Sequence, residues 1–326
     1  IAWWVLGVLI ACVIIAICSL CFGAVTISLS QLWNIIFHHD GSITANIILY
    51  ARAPRTLACL FAGAALAVSG AVLQNVLANK LASPSIIGVN AGAGLGVTLC
   101  CAFGVLSGIK VSLAAFAGSL LAVGVLSLFA SRTAASKTTV ILCGVAFNSI
   151  LNAFSESIVA LQPAIAALNA DFRIGGFSSV SYARLLPAIA MITIAMVVLF
   201  TMLNELDVVA LGDETAQSVG LAVKRYRILF LVLAALLAGS AVSFAGLLGF
   251  IGLIVPHFVR RMVGNESRRL LPLCALVGAG FVCLCDLIAR LIFMPYELPV
   301  GILMSLIGGP LFAFLLVRYK GGHRHA

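Results

Sequence analysis

The sequence predicts an all-α, polytopic membrane protein with about ten transmembrane helices in a single domain covering residues 1–326. Three observations carry this. Hydrophobic residues make up 63% of the chain and charged residues only 9%, whereas soluble domains are roughly 25% charged, so water is not the solvent for most of the surface. Mean hydropathy is +1.21. Apolar runs approaching the roughly 20 residues that cross a bilayer recur along the whole chain, and they use up its length. No room is left for a soluble catalytic domain.

In order, the spans are expected at 2–23, 56–76, 86–106, 110–130, 138–161, 185–203, 227–247, 248–259, 271–293 and 299–318. The first is read as a span and not as a cleaved signal peptide, because it is long for a signal core and lacks a small-residue cleavage site before Thr26. That reading leaves room for a short basic head ahead of Ile1. The eighth is too short to cross alone, and Pro256 is expected to break or kink it. Between the sixth and seventh spans lies a richer connector, about 205–227, in which Glu214-x-Ala216-x-x-x-Gly220 reads as a short helix stopped by a glycine.

An even number of spans puts both ends on one side. Thirteen of the 19 Lys and Arg residues (Lys80, Arg132, Lys137, Lys224, Arg225, Arg227, Arg260, Arg261, Arg268, Arg269, Arg318, Lys320 and Arg324) then share the side of the termini, against six (Arg52, Arg55, Lys110, Arg173, Arg184 and Arg290). Basic residues accumulate in cytoplasmic loops, so both termini are expected in the cytoplasm. The net charge of +9 is thereby explained by topology, with no nucleic-acid partner.

Within the spans, Gly88, Gly92 and Gly96 recur every four residues, and Gly63 and Gly70 mark the second span. Small residues at such spacing let helix backbones approach closely. Ala62-Gly63 with Gly70 is echoed by Ala238-Gly239 with Gly246, a weak hint of an inverted repeat. The ten cysteines all fall within spans and read as small packing residues; Cys18-x-x-Cys21 and the terminal Gly-Gly-His-Arg-His-Ala lack the partners of a metal site. No metal or cofactor is expected.

Polar groups at membrane depth are costly and need a reason. Asn148, Asn152 and Glu156 stand at i, i+4 and i+8 on the fifth span, one stripe of a helix. They are read as the lining of a translocation pathway, the alternative being bonds to neighbouring helices. Asp286 and Arg290 are spaced for an i,i+4 ion pair. Arg52 and Arg55, in Arg52-Ala-Pro-Arg55, suit either snorkelling anchors or an external acidic partner, and the residues alone leave both open. The chain has no GxxxxGK[ST] nucleotide loop, so any ATP is bound by another subunit.

Seven stretches in order then carry a resemblance: Arg52-Ala-Pro-Arg55-Thr-Leu, Gly63-Ala-Ala-Leu-Ala-Val-Ser-Gly70-Ala-Val-Leu-Gln74, Leu81-Ala-Ser-Pro84-Ser-Ile-Ile-Gly88-Val-Asn90, Ala210-Leu-Gly212-Asp213-Glu214, Gly249-Phe-Ile-Gly-Leu-Ile-Val-Pro256-His257, Asp286-Leu-Ile-Ala-Arg290 and Glu297-Leu-Pro-Val-Gly301. The chain resembles the FecCD-type permeases, membrane subunits of bacterial ABC importers for ferric siderophores, haem and cobalamin. The resemblance implies the type II ABC importer permease fold in the bacterial cytoplasmic membrane. It implies as partners the lipid bilayer, a cytoplasmic ATP-binding subunit dimer, an extracytoplasmic substrate-binding protein, and a second permease copy or paralogue. By it, Arg52, Arg55 and Arg290 receive acidic side chains of the binding protein, although Ala53 is smaller than the apolar residue usual there. Gly212, Asp213, Glu214, Ala216 and Gly220 form the ATPase-coupling element, with Thr215 in place of an alanine. The path between two copies is lined partly by the fifth and tenth helices. The chain itself is then no enzyme, and an iron chelate is the expected cargo. The main rival is an ion-coupled secondary transporter using Glu156 or Asp286, which leaves the coupling motif without a role. An intramembrane enzyme would need His257 or the cysteines, and no catalytic set converges.

Overall fold

The computed structural model describes residues 2–38, 42–105, 107–132, 137–294 and 296–321. Arg324 and the terminal His323 and His325 fall outside the described residues. Among those described, every regular element is helical. The first helix, α1 (Ala2–Cys21), is apolar all round. Next comes α2 (Leu29–His38), which the hydropathy reading passed over. Its start is a reciprocal capping box: Ser28 Oγ accepts from Gln31 N–H at 3.3 Å, and Gln31 Oε1 accepts from Ser28 N–H at 3.0 Å. Leu32 and Ile35 on its inner face join Cys21, Ile27, Ala45 and Ile48 in a small separate core.

The chain then forms one continuous helix of 34 residues, Ile43–Val76. It begins as α3 (Ile43–Asn46), widens to π geometry over Ile47–Arg52 and runs on as α4 (Ala53–Val76). Pro54 explains the widening, since it offers no N–H to the preceding turn and its ring crowds the carbonyl four residues back. The second span therefore starts well before residue 56, and Arg52 and Arg55 lie within a helix wall.

Helix α5 (Val89–Ala102) starts at Gly88, whose φ of 100° suits glycine. It is followed by α6 (Gly108–Arg132), α7 (Lys137–Leu161), α8 (Ala166–Ile174), α9 (Tyr182–Thr201), α10 (Leu203–Ala210), α11 (Asp213–Ser218), α12 (Val223–Ala245), α13 (Ile251–Val263), α14 (Ser267–Leu291) and α15 (Val300–Gly321). Among the described residues, six helical segments are long and apolar enough to cross a bilayer, and Val5–Cys21, Val89–Ala102 and Val300–Ala313 are shorter apolar ones. With α13, whose 13 residues reach only about 20 Å, they match the ten expected spans one for one.

Helices α4 and α12 form the centre, each 78% buried over its span, with α14 and α13 against α4, and α6 and α9 against α12. Glycine sets the distances. A β-carbon at Gly63 would lie 2.1 Å from the Gly278 carbonyl oxygen, one at Gly70 2.0 Å from that of Gly252, and one at Gly92 2.4 Å from that of Gly118. The close-packing stripe on α5 is thus Gly92 and Gly96, while Gly88 makes the turn before it. Gly239 and Gly246 do not repeat the roles of Gly63 and Gly70: Gly239 faces the Ser119 side chain, and Gly246 ends α12 at φ 70°.

Pro256 does not break α13, which continues through it to Val263; of the two outcomes expected from the sequence, a break or a kink, the break does not occur. The carbonyl it cannot bond, that of Gly252, accepts Gln74 Nε2–H from α4 at 3.0 Å instead. A neighbouring helix re-satisfies the freed group, as a bilayer demands.

Candidate functional site

Two polar ends, separated by the apolar middle of the bundle, hold the candidate residues. At the first, Arg52 is only 7% exposed. Its guanidinium donates to the carbonyls of Leu20 at 2.7 Å, Cys21 at 2.9 Å and Val25. It thereby caps the C-terminal end of α1, whose last carbonyls have no helical donors. Gly23 leaves the room: a β-carbon there would meet Arg52 Nη2 at 2.9 Å. Arg290, 5% exposed, grips the same helix end through Ser19 Oγ at 2.7 Å and Ser19 O at 3.3 Å.

Asp286, essentially inaccessible, lies between two arginines. Arg55 Nη2 donates to its Oδ1 at 3.0 Å and Arg55 Nε to its Oδ2 at 3.1 Å. Arg290 Nε stands 3.1 Å from Oδ2, an ion-pair contact without hydrogen-bond alignment. Arg55 also donates Nη1–H to Glu297, half-exposed at the rim, at 2.7 Å. Thus the i,i+4 pair read from the sequence exists, and it belongs to a larger cluster tying α1, α4, α14 and the loop before α15 together.

The stripe on α7 divides. Asn148 turns inward and donates Nδ2–H to the carbonyls of Ser85 and Ile86 at 2.7 and 2.9 Å, pinning the loop before α5. Asn152 and Glu156 are exposed, with Glu156 at 3.4 Å from Arg173. Ser155 is buried and shares a 2.6 Å bond with Thr98 on α5. The span of α7 is only 17% buried, the least covered of the six.

At the opposite end, α10 and α11 form the connector. Gly212 (φ 113°) precedes α11 and Gly220 (φ 84°) ends it. The N–H of Gly220 donates to Gln217 O at 2.9 Å and that of Leu221 to Ala216 O at 3.0 Å, a glycine-terminated cap of the Schellman kind. Ala216 is buried, Glu214 exposed, and Leu211 and Val219 are each 70% exposed. Asp213 is fixed by Arg227 of α12 through bonds of 2.5 and 2.6 Å.

Beside it runs a network that the sequence did not flag. Asp207 of α10 accepts from Ser267 N–H at 3.0 Å; Ser267 Oγ accepts from Asn75 Nδ2–H at 3.2 Å. Arg260 donates to Asn75 Oδ1 at 2.9 Å and to Gln74 Oε1. Four helices, α10, α14, α4 and α13, are joined at the end where the connector emerges. Gln74 closes one of the quoted sequence stretches, which was the available signal.

Among the described residues no nucleophile, acid and base converge, and both carboxylates that an ion-coupled carrier would need, Glu156 and Asp286, are in ion pairs. Its two featured ends are instead a charged rim and an exposed, rigid helix. Comparison with known proteins agrees. The model of the FecCD transport family matches residues 10–318. The chain is 33% identical over 316 residues to an ABC transporter permease of Bacillus subtilis, covering 93% of this chain and 90% of the relative. It is 34% identical to the iron(3+)-hydroxamate import permease of that organism (94% and 81% covered) and 32% identical to the hemin transport permease of Yersinia pestis (96% and 94%). A solved structure described as an inward-facing conformation of a metal-chelate type ABC transporter superposes with a TM-score of 0.87 at 29% identity, covering 98% of this chain and all of the other. The all-helical fold is that of the type II ABC importer permeases, and the chain belongs to the FecCD transport family.

Proposed function

We propose that this permease passes an iron chelate, of the siderophore or haem kind, inward across the cytoplasmic membrane. It acts as a dimer with itself or a paralogue, served by an ATP-binding subunit dimer at the α10–α11 end and by a substrate-binding protein at the Arg55 end. Both termini then lie in the cytoplasm, because α1 starts at the connector end and finishes at the Arg55 end, while α15 starts at the Arg55 end and runs back toward the connector end.

The observation that carries this is the connector. A six-residue helix held at both ends by glycines and tied to α12 by Arg227–Asp213, yet presenting Leu211 and Val219 outward, suits insertion into a cleft of another subunit. Isolated, so short a helix would not persist; here its fixings let it move as one body with α12. Glu214 and Thr215 complete the presented face. ATP-driven closure of the partner dimer then shifts the balance between inward- and outward-open forms. The iron-chelate cargo rests on the hydroxamate and hemin relatives.

At the rim, a carboxylate of the binding protein reaches Arg55, with Arg52 and Arg290 as the cations behind it. The open face of α7, with Asn152 and Glu156, is assigned to the pathway between copies, and Asn148 to holding α5 against it.

The test is ATP hydrolysis of the complete complex in lipid, with and without binding protein. Gly220→Trp, placed at φ 84°, should leave the subunits assembled but uncouple hydrolysis from uptake. Arg55→Glu should abolish the stimulation by binding protein. Uptake that needs no ATPase and follows an ion gradient would overturn the assignment.

A further inference from the structure

The cations of the rim are not equally engaged. Arg52 and Arg290 are spent on the end of α1, Arg55 on Asp286 and Glu297, and Arg173 on Glu156. Arg184, on the first turn of α9, is half-buried, and its guanidinium makes no hydrogen bond or ion pair to the described residues. Its guanidinium carries five donors that no protein group engages and that an incoming acceptor can take. Its position is built for it, because a β-carbon at Gly108 would lie 1.6 Å from Arg184 Nη2. Only glycine lets the guanidinium lie there.

Arg184 forms part of the wall of a cavity of about 450 Å³ that Arg55 also lines. The cavity is held by backbone bonds: Gly176 N–H to Ala245 O at 2.8 Å, Leu247 N–H to Phe172 O at 3.0 Å, and Gly301 N–H to Gly175 O at 3.3 Å. A partner entering it need not order the walls, which saves binding free energy. Asp171 and Glu297 line the cavity too. The Asp171 carboxylate has no partner among the described residues, so one cavity is lined by both a free acceptor and a free cation. Two carboxylates disfavour a simple anion. An acidic side chain that pairs with Arg184 while a neighbouring donor meets Asp171 satisfies both.

We infer that this cavity is a second docking socket, in which Arg184 receives an acidic side chain of the substrate-binding protein. The inference rests on the docking proposed above and extends it to α6, α8 and α9, giving the partner two anchoring points and hence a fixed orientation.

The experiment measures binding to the complete transporter in nanodiscs, using as probe the labelled binding protein that stimulates wild-type ATP hydrolysis. Arg184→Ala should weaken binding roughly 30-fold or more, as for truncation of one member of a desolvated charge pair, and Arg184→Glu should weaken it further. Gly108→Ala keeps the charge but displaces the guanidinium, and should lower affinity by about fivefold or more; it carries the test if the Arg184 variants fail to assemble. Arg55→Glu is the reference. Loss with both Arg55→Glu and the Arg184 variants upholds the socket and the docking reading. Loss with Arg55→Glu alone overturns the socket and leaves that reading standing. Full affinity in every variant overturns both.

Discussion

Replacing Gly70 by alanine would set a methyl carbon 2.0 Å from the carbonyl oxygen of Gly252. Carbon–oxygen contacts settle near 3.3 Å, so α13 must recede from α4 by about 1.3 Å, taking the difference from that contact distance. Overpacking of this kind costs about 1–3 kcal/mol. The retreat also stretches the 3.0 Å bond from Gln74 to Gly252 O past any useful length, and Pro256 has no N–H with which to replace it. An orphaned buried carbonyl adds about 1–3 kcal/mol, for a total of roughly 2–6 kcal/mol. Gly124, on the exposed side of α6, is the control, because a β-carbon there meets nothing within 4 Å; alanine should gain up to about 1 kcal/mol of helix propensity. Thermal unfolding in detergent can be followed with a thiol-reactive fluorophore, since Cys59, Cys274, Cys283 and Cys285 are buried in the fold. Gly70→Ala should lower the midpoint on the order of 3–9 °C, while Gly124→Ala leaves it unchanged or raises it. Equal shifts for the two variants would refute the argument from close approach.

Asp286→Ala leaves Arg290 buried without its anion and Arg55 with Glu297 alone, and should destabilise by about 3–5 kcal/mol, whereas Asp286→Asn, which keeps an acceptor, should cost less; the same unfolding assay separates them. Gly220→Ala forces a β-carbon into positive φ at a cost of about 1–2 kcal/mol; transport per ATP hydrolysed should fall more than the midpoint does. Arg260→Ala removes the donor that joins Gln74 and Asn75, and should lower uptake by reconstituted transporter while the ATPase subunits still co-purify. Glu156→Gln should retain ATP-dependent uptake that is insensitive to ionophores; loss of uptake there would revive the ion-coupled reading.

The spans were legible because hydropathy and length are local properties, and so were the close approaches at Gly63, Gly70, Gly92 and Gly96, since small residues at helical spacing have few other uses in a bilayer. The end of α11 at Gly220 was legible for the same local reason. What escaped depends on partners distant in sequence. Helix α2 fell below the spanning length, although Ser28-x-x-Gln31 announced its start. Arg52 and Arg55 read as residues ahead of a helix because Pro54 usually opens one; nothing local says that the helix widens and runs back to Ile43. The carbonyls that occupy Arg52 are backbone groups of α1, invisible to any side-chain pattern. Asn148 was placed with Asn152 and Glu156 by periodicity, yet the strip of α7 it occupies meets the loop before α5.

The two polar ends differ in a way that bears on how they act. At the rim, the buried charges fasten α1 to α4 and α14, and the groups that reach solvent, Glu297 and part of Arg55, are the tips of that cluster. A carboxylate of the proposed binding protein would therefore meet a preset surface and compete for donors already in use. At the connector end the bonds run across helices: Asp207 to Ser267, Ser267 to Asn75, Asn75 and Gln74 to Arg260, and Gln74 to the carbonyl freed by Pro256. Displacing α10 alone would break the Asp207–Ser267 contact, and displacing α14 or α13 alone would break their bonds to Asn75 and Gln74, each at the cost of a buried polar group. Displacing them together breaks none. The proline inside α13 is thus part of the linkage, for without its missing N–H the Gly252 carbonyl would be satisfied within its own helix and the bond that fastens α13 to Gln74 would have no reason to form.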